Sequence, residues 1–284
     1  MPVVAVATDF STRSDRAVRR AELLVEQTGY DLLLIHVIDD DQPQRLIDAE
    51  WTACETLLDE FQESITSRTG RTVRTALRAG EDFKEIPRVA QEAEADLIVM
   101  GPHRRQVARS AFRGTTAERT IRHSTIPVLV ANSPPASQYK RVLFTAKFDP
   151  ISAASIRHFE NSPYLGNAER LLLHAYDSMD KEMLSRAMVP GDERADRLAQ
   201  DRMIASDALA HFIEEHKLTI DQPIVRESCG SFATDILNVA SEKNADLIVV
   251  APGSKSIFEL AILGRVSLAV LRQSECDVLI LPSE

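Results

Sequence analysis

The chain has 284 residues, 44% of them hydrophobic and 27% charged, with a formal net charge of -10. That length suits one large domain or two small ones, and the composition excludes a disordered or collagen-like chain. The acidic balance argues against nucleic acid and anionic membranes as partners, because both are bound through clustered Lys and Arg.

In chain order, residues 3–7 form a short apolar, β-branched run that predicts a buried strand. Thr12 with Asp15 has the spacing of a capping box before a helix reaching about Gln27. Residues 32–37 predict a second strand, and 45–68 a long helix closed by Gly70. Trp51 and Phe61 read as core residues of that helix. A strand over 73–77, a helix over 84–93, a strand over 97–101, a helix over 115–123 and a strand over 128–131 complete the set. The stretch Asn132-Ser133-Pro134-Pro135-Ala136-Ser137-Gln138 is short, Pro-rich and polar, as a linker is.

The pattern then recurs. Residues 31–39 match 169–177 at an offset of 138, and 95–100 match 245–250 at an offset of 150. Gly80 pairs with Gly230 and Gly114 with Gly264 at that second offset. The difference places a 12-residue insertion between Asp177 and Gly230, with 179–189 as the added piece. The expected organisation is a first domain over 1–132, a linker over 133–138 and a second domain over 139–284.

Strands alternating with helices predict an α/β protein with two similar, doubly wound, five-stranded parallel sheets. Ligands of such sheets bind beyond the carboxyl ends of the strands, at the topological switch point. In the first copy those loops are 8–11 and 101–114. Asp9 follows the first strand directly; it can accept hydrogen bonds from a ligand or merely favour the adjacent helix dipole. Gly114-Thr115 opens a helix, a generic phosphate seat. From Gly101 to His123 six Arg stand against one Glu, which points to an anionic ligand.

These motifs together resemble the universal stress protein family in its tandem form. The resemblance is carried by Ala7-Thr8-Asp9-Phe10-Ser11, by Leu34-Ile35-His36-Val37-Ile38-Asp39, by Asp96-Leu97-Ile98-Val99-Met100-Gly101-Pro102-His103, and by Gly114-Thr115-Thr116-Ala117-Glu118-Arg119 running to Pro127-Val128-Leu129-Val130. It implies a Rossmann-like fold of the adenine nucleotide alpha hydrolase type, and a stress-response regulator that binds an adenine nucleotide. ATP, with magnesium, is the implied ligand. Its first-domain contacts would be Asp9 near the adenosine, the Val37 backbone at the adenine, and Gly101, His103, Arg104, Gly114, Thr115 and Thr116 around the phosphates. Arg104 departs from the family's Gly. A Cβ there obstructs close approach of a phosphate to the backbone, while a guanidinium is a good phosphate partner.

The second copy departs further. Asp9 becomes Lys147, Gly101 becomes Ala251, Arg104 becomes Ser254 and Thr115 becomes Arg265, so the second domain is expected to be degenerate for ATP. Gly253-Ser254-Lys255-Ser256 reads as a surface turn. His36 and His174 recur at the end of strand two but belong to separate sheets, and read as satisfied structural histidines. His211 and His216 lack the i, i+4 spacing of a metal pair. No catalytic residue and no metal site are expected, and at most slow ATP hydrolysis.

Cys54, Cys229 and Cys276 contain no C-x-x-C pair and read as three free thiols. No apolar run nears the roughly 18 residues that span a bilayer. Met1-Pro2-Val3-Val4-Ala5 lacks a basic leader, so the cytoplasm is the expected location. The last strands of the two copies would be apolar edges. In the family such strands pair across a dimer, so the resemblance implies an internal pseudo-dimer here, with a further homodimer and unidentified protein partners. The alternative is a nucleotide-free interaction module.

Overall fold

The apolar run Val3–Ala7 forms β1, with both of its faces covered. A computed structural model describes residues 2–102, 115–177, 191–228, 230–252 and 264–282. After β1 come α1 (Ser14–Thr28), β2 (Asp31–Ile38), α2 (Gln44–Thr69), β3 (Val73–Ala79), α3 (Asp82–Glu92), β4 (Ala95–Met100), α4 (Thr116–His123) and β5 (Val128–Val130). The second half repeats the order as β6 (Arg141–Thr145), α5 (Pro150–Glu160), β7 (Glu169–Tyr176), α6 (Gly191–Glu215), β8 (Gln222–Glu227), α7 (Phe232–Glu242), β9 (Leu247–Val250), α8 (Arg265–Gln273) and β10 (Asp277–Ile280).

The strands join in one sheet of order β3-β2-β1-β4-β5-β10-β9-β6-β7-β8. Within each half the pairing is parallel. The halves meet where β5 and β10 pair antiparallel, with Leu129 opposite Leu279. The two five-stranded sheets are therefore one continuous sheet, and each apolar edge covers the other. Each half reverses direction at its first strand, so the switch points lie between β1 and β4 and between β6 and β9.

Helix α2 is amphipathic in the way its sequence suggests. Its buried residues Ile47, Cys54, Leu58 and Ile65 fall on one stripe. Trp51 and Phe61 pack against the core from its border. The helix ends at Gly70, whose φ of 64° is the left-handed conformation that glycine adopts without a Cβ penalty. The capping box expected at Thr12 and Asp15 does not form. The N-cap is Arg13, one residue later, and the Ser14 hydroxyl donates to the Ser11 carbonyl at 2.9 Å. The expected insertion over 179–189 and the 253–256 turn lie outside the described residues.

The seam between the halves is polar at its centre. Asp277 is fully buried on β10. Its Oδ2 accepts Arg20 Nε at 2.8 Å and the Tyr139 hydroxyl at 2.8 Å. Its Oδ1 accepts Ser133 N at 3.0 Å and the Ser133 hydroxyl at 2.9 Å. Arg20 also donates to the Ser137 carbonyl, so the segment that reads as a linker is tied to both halves.

Candidate functional site

In the first half, Asp9 stands just beyond β1. Its carboxylate accepts Ser11 N at 3.1 Å and the Ser11 hydroxyl at 2.5 Å. Burial pushes its pKa up, but the Ser11 and Ser14 hydroxyls and the Ser11 amide outweigh burial and hold it below the usual value. Phe10 has a φ of 55°, rare for an aromatic residue. Its ring packs 4.4 Å from that of His36 and 5.7 Å from that of Phe61. His36 is only half satisfied, contrary to expectation. Its Nδ1 lies 2.8 Å from the Thr8 carbonyl, while Nε2 is buried with no hydrogen-bond partner.

Val37 lies within β2, opposite Arg78, rather than past the strand end. At Gly101 a Cβ would approach the Arg13 carbonyl oxygen to 2.9 Å. The close passage of β4 past the start of α1 thus demands this glycine, with or without a ligand. Thr115 caps α4: its hydroxyl accepts Glu118 N at 3.1 Å, and Glu118 reaches back to Thr115 N at 3.4 Å. Thr116 donates to Asp82 at 2.7 Å. A carboxylate therefore already stands over the helix start where the sequence suggests a phosphate. His103, Arg104 and Gly114 lie outside the described residues.

Glu118 is buried, and Arg272 of α8 grips it through two hydrogen bonds of 2.6 and 2.9 Å. Burial pushes the Glu118 pKa up, yet Arg272, joined by the Thr115 amide and the charge of Arg122, outweighs it and the net shift is downward. The halves do not reciprocate. Arg122 occupies the place of Arg272, but 150 positions beyond Glu118 stands Leu268. Arg122 is left with a buried Nε that has no hydrogen-bond partner.

That Arg122 lines a cavity of about 720 Å³ at the carboxyl ends of β6, β7 and β9. Lys147 and Phe148, just past β6, form part of its wall, as do His174 of β7 and Arg265 of α8. Phe148 stacks on His174 at 3.9 Å and packs 5.1 Å from Phe212. This repeats the Phe10–His36–Phe61 cluster of the first half. Burial lowers the His174 pKa, so its ring is neutral at neutral pH. Helix α8 starts at Gly264 with no side-chain cap, in contrast to α4. Three cationic side chains, an open helix start and a flat aromatic wall suit a ligand with a planar apolar body and an anionic tail.

A profile of the Universal stress protein family matches residues 1–132 and 138–282. The chain belongs to the universal stress protein family. Over 138 residues it is 28% identical to a Staphylococcus aureus (strain USA300) protein assigned to the universal stress proteins, covering 46% of this chain and 83% of that one. Its fold is similar to that of a universal stress protein from Archaeoglobus fulgidus DSM 4304, with a TM-score of 0.71 and 19% identity over 99% of this chain and 98% of that one. A functionally unknown protein from Pseudomonas aeruginosa PAO1 is similar at a TM-score of 0.69 and 18% identity, covering 100% and 93%.

This tandem universal stress protein thus has related strand ends in its two halves with different charged residues beside them. Sequence motifs direct attention to Asp9, Gly101 and Thr115. They do not single out Arg122, whose role depends on what faces it across the seam. The signal that could have found it is the repeat itself, in which Glu118 corresponds to Leu268. Among the described residues no helix is long and apolar enough to cross a membrane.

Proposed function

We propose that this universal stress protein is a ligand-responsive regulator that binds an adenine nucleotide, and that the second-half cleft is the leading site. The 720 Å³ cavity carries this reading, because its size is that of a small-molecule pocket and Arg122, Lys147 and Arg265 line it. The base would lie against Phe148, and the phosphates would meet the cations and the uncapped start of α8. Magnesium would accompany a triphosphate. The first-half cleft is the second reading, favoured by the ionised Asp9 that Ser11 holds in place. There, Val37, Gly101, His103, Arg104, Gly114, Thr115 and Thr116 would complete the contacts that the family resemblance implies.

The test is to denature freshly purified protein, identify any released nucleotide by mass spectrometry, and then titrate ATP with magnesium by calorimetry. About one nucleotide per chain is expected, with affinity at least about tenfold weaker in Lys147→Glu, a charge reversal beside a phosphate. Asp9→Ala should leave it unchanged. The reverse pattern moves the site to the first half, and no binding leaves an interaction module without nucleotide.

A further inference from the structure

The unpartnered nitrogen of His36 does not stand alone. A ring nitrogen of His36, the Cys54 Sγ and a carboxylate oxygen of Glu50 lie within 4.8 Å of one another. His36 comes from β2, while Glu50 and Cys54 are four residues apart on α2 and share one face of that helix. His36 is 8% exposed and Cys54 5%, so two of the three donors are withdrawn from water. Glu50 is exposed and opens the group to solvent on one side.

The geometry of His36 sets its chemistry. Its Nδ1 bonds a backbone carbonyl, which can only accept, so the proton resides on Nδ1. Nε2 then presents a bare lone pair with nothing in the protein to receive it. A neutral imidazole, fixed in tautomer and orientation by a carbonyl behind it, is the form in which histidine ligates metals. Glu50 has only a weak hold elsewhere, a 3.5 Å contact from Gln42.

Sulfur, imidazole nitrogen and carboxylate oxygen together suit zinc, with bonds of about 2.3 Å to sulfur and about 2.0 Å to nitrogen. Neighbouring donors of those lengths on a tetrahedral ion stand about 3.5 Å apart. The set lies within 4.8 Å, so binding an ion requires it to close to that spacing, and the exposed Glu50 side chain is the donor with most freedom to move. We propose that His36, Glu50 and Cys54 form a zinc(II) site whose fourth position is taken by water. As the zinc–sulfur bond forms, the thiol proton leaves to solvent.

The site belongs to the first half alone. His174 repeats His36, but Ala205 stands seven residues before Phe212, where Cys54 stands seven residues before Phe61. Zinc would also reach the neighbouring ligand loop. His36 bonds the carbonyl of Thr8, the residue before Asp9, so an ion that fixes the imidazole fixes the strand end.

The experiment strips the full chain of metal under reducing conditions and titrates it with cobalt(II), reading the thiolate-to-cobalt charge-transfer band in the near ultraviolet. Zinc(II) is then titrated against a chromophoric chelator. One ion per chain and a charge-transfer band are expected. Cys54→Ala should abolish the band and weaken zinc at least about 100-fold, more than loss of an outer-shell partner does. A Cys229→Ser, Cys276→Ser double variant should keep both signals. Because Glu50 is exposed, Glu50→Ala tests the set without touching the core, and zinc should weaken about tenfold or more. Absence of the band at saturating cobalt, a band that survives Cys54→Ala, or unchanged zinc affinity in Glu50→Ala would each overturn the site.

Discussion

Asp277 offers the sharpest test of how the two halves are held together. Asp277→Ala removes the acceptor for four donors at once and leaves the Arg20 guanidinium, itself 4% exposed, without its carboxylate. Breaking a buried pair from one side costs about 3–5 kcal/mol, because the surviving charge stays buried. Arg20 keeps the Ser137 carbonyl, which places the expected loss toward the lower end of that range. Arg20→Met should cost less, since Asp277 retains Ser133 and Tyr139. In the double variant neither charge is stranded, so its cost should fall short of the sum of the singles by about 1–3 kcal/mol. Urea titrations followed by circular dichroism and by the fluorescence of Trp51 would measure this as a change in midpoint at constant slope. Additive singles, or an Asp277→Ala cost below about 1 kcal/mol, the level of an exposed pair, would refute the reasoning.

Further outcomes follow from the same structure. Glu118 has a lowered pKa in the fold, so it adds stability that is present above its ordinary value of 4.5 and lost as pH falls through the folded value. Glu118→Gln should therefore destabilise at pH 7 and match the parent in strong acid, read by thermal melts across pH. Glu160 runs the other way: burial raises its pKa and only one of its oxygens is bonded, to Thr219 N. Its favourable contribution is present in acid and lost as pH rises through the folded value, so Glu160→Gln should gain on the parent between pH 4 and 7 in the same melts. Gly101→Ala should cost about 1–3 kcal/mol through overpacking against the Arg13 carbonyl, measured by urea midpoint, even with no nucleotide present. Burial pushes the Cys276 thiol up to about 11, so peptide mapping after maleimide treatment of folded protein at pH 8 should find it unlabelled.

The strands were legible because a parallel sheet covered on both faces needs continuous apolar, β-branched runs. The repeat then located the second set. The pairing of β5 with β10 follows from the same logic, since two short apolar edges in one chain cover each other. Spacing misplaces the start of α1 by one residue because Ser11, Thr12 and Ser14 crowd it, and spacing alone does not say which one the backbone turns around. Ser11 takes the amides that a Thr12 cap would need, its carbonyl accepting Asp15 N at 3.1 Å and its hydroxyl accepting Ser14 N at 3.5 Å. The His36, Glu50, Cys54 group has no sequence signature, because β2 and α2 are brought together only by packing.

The two strand-end regions differ in which of their charges have partners. Gly101 reads as a phosphate-loop glycine, yet the backbone of Arg13 accounts for it by contact alone. Thr115 reads as a phosphate seat, yet Glu118 fills the helix start with a carboxylate. The substitutions in the second copy look like erosion when scored against the first. Lys147 nevertheless replaces a negative charge with a positive one, and Gly264 leaves α8 uncapped. Leu268 in the place of Glu118 deprives Arg122 of the acceptor that its counterpart Arg272 enjoys, and that arginine lines the cavity. Which arginine of the pair finds a carboxylate is a property of contacts across the seam rather than of any residue within one repeat.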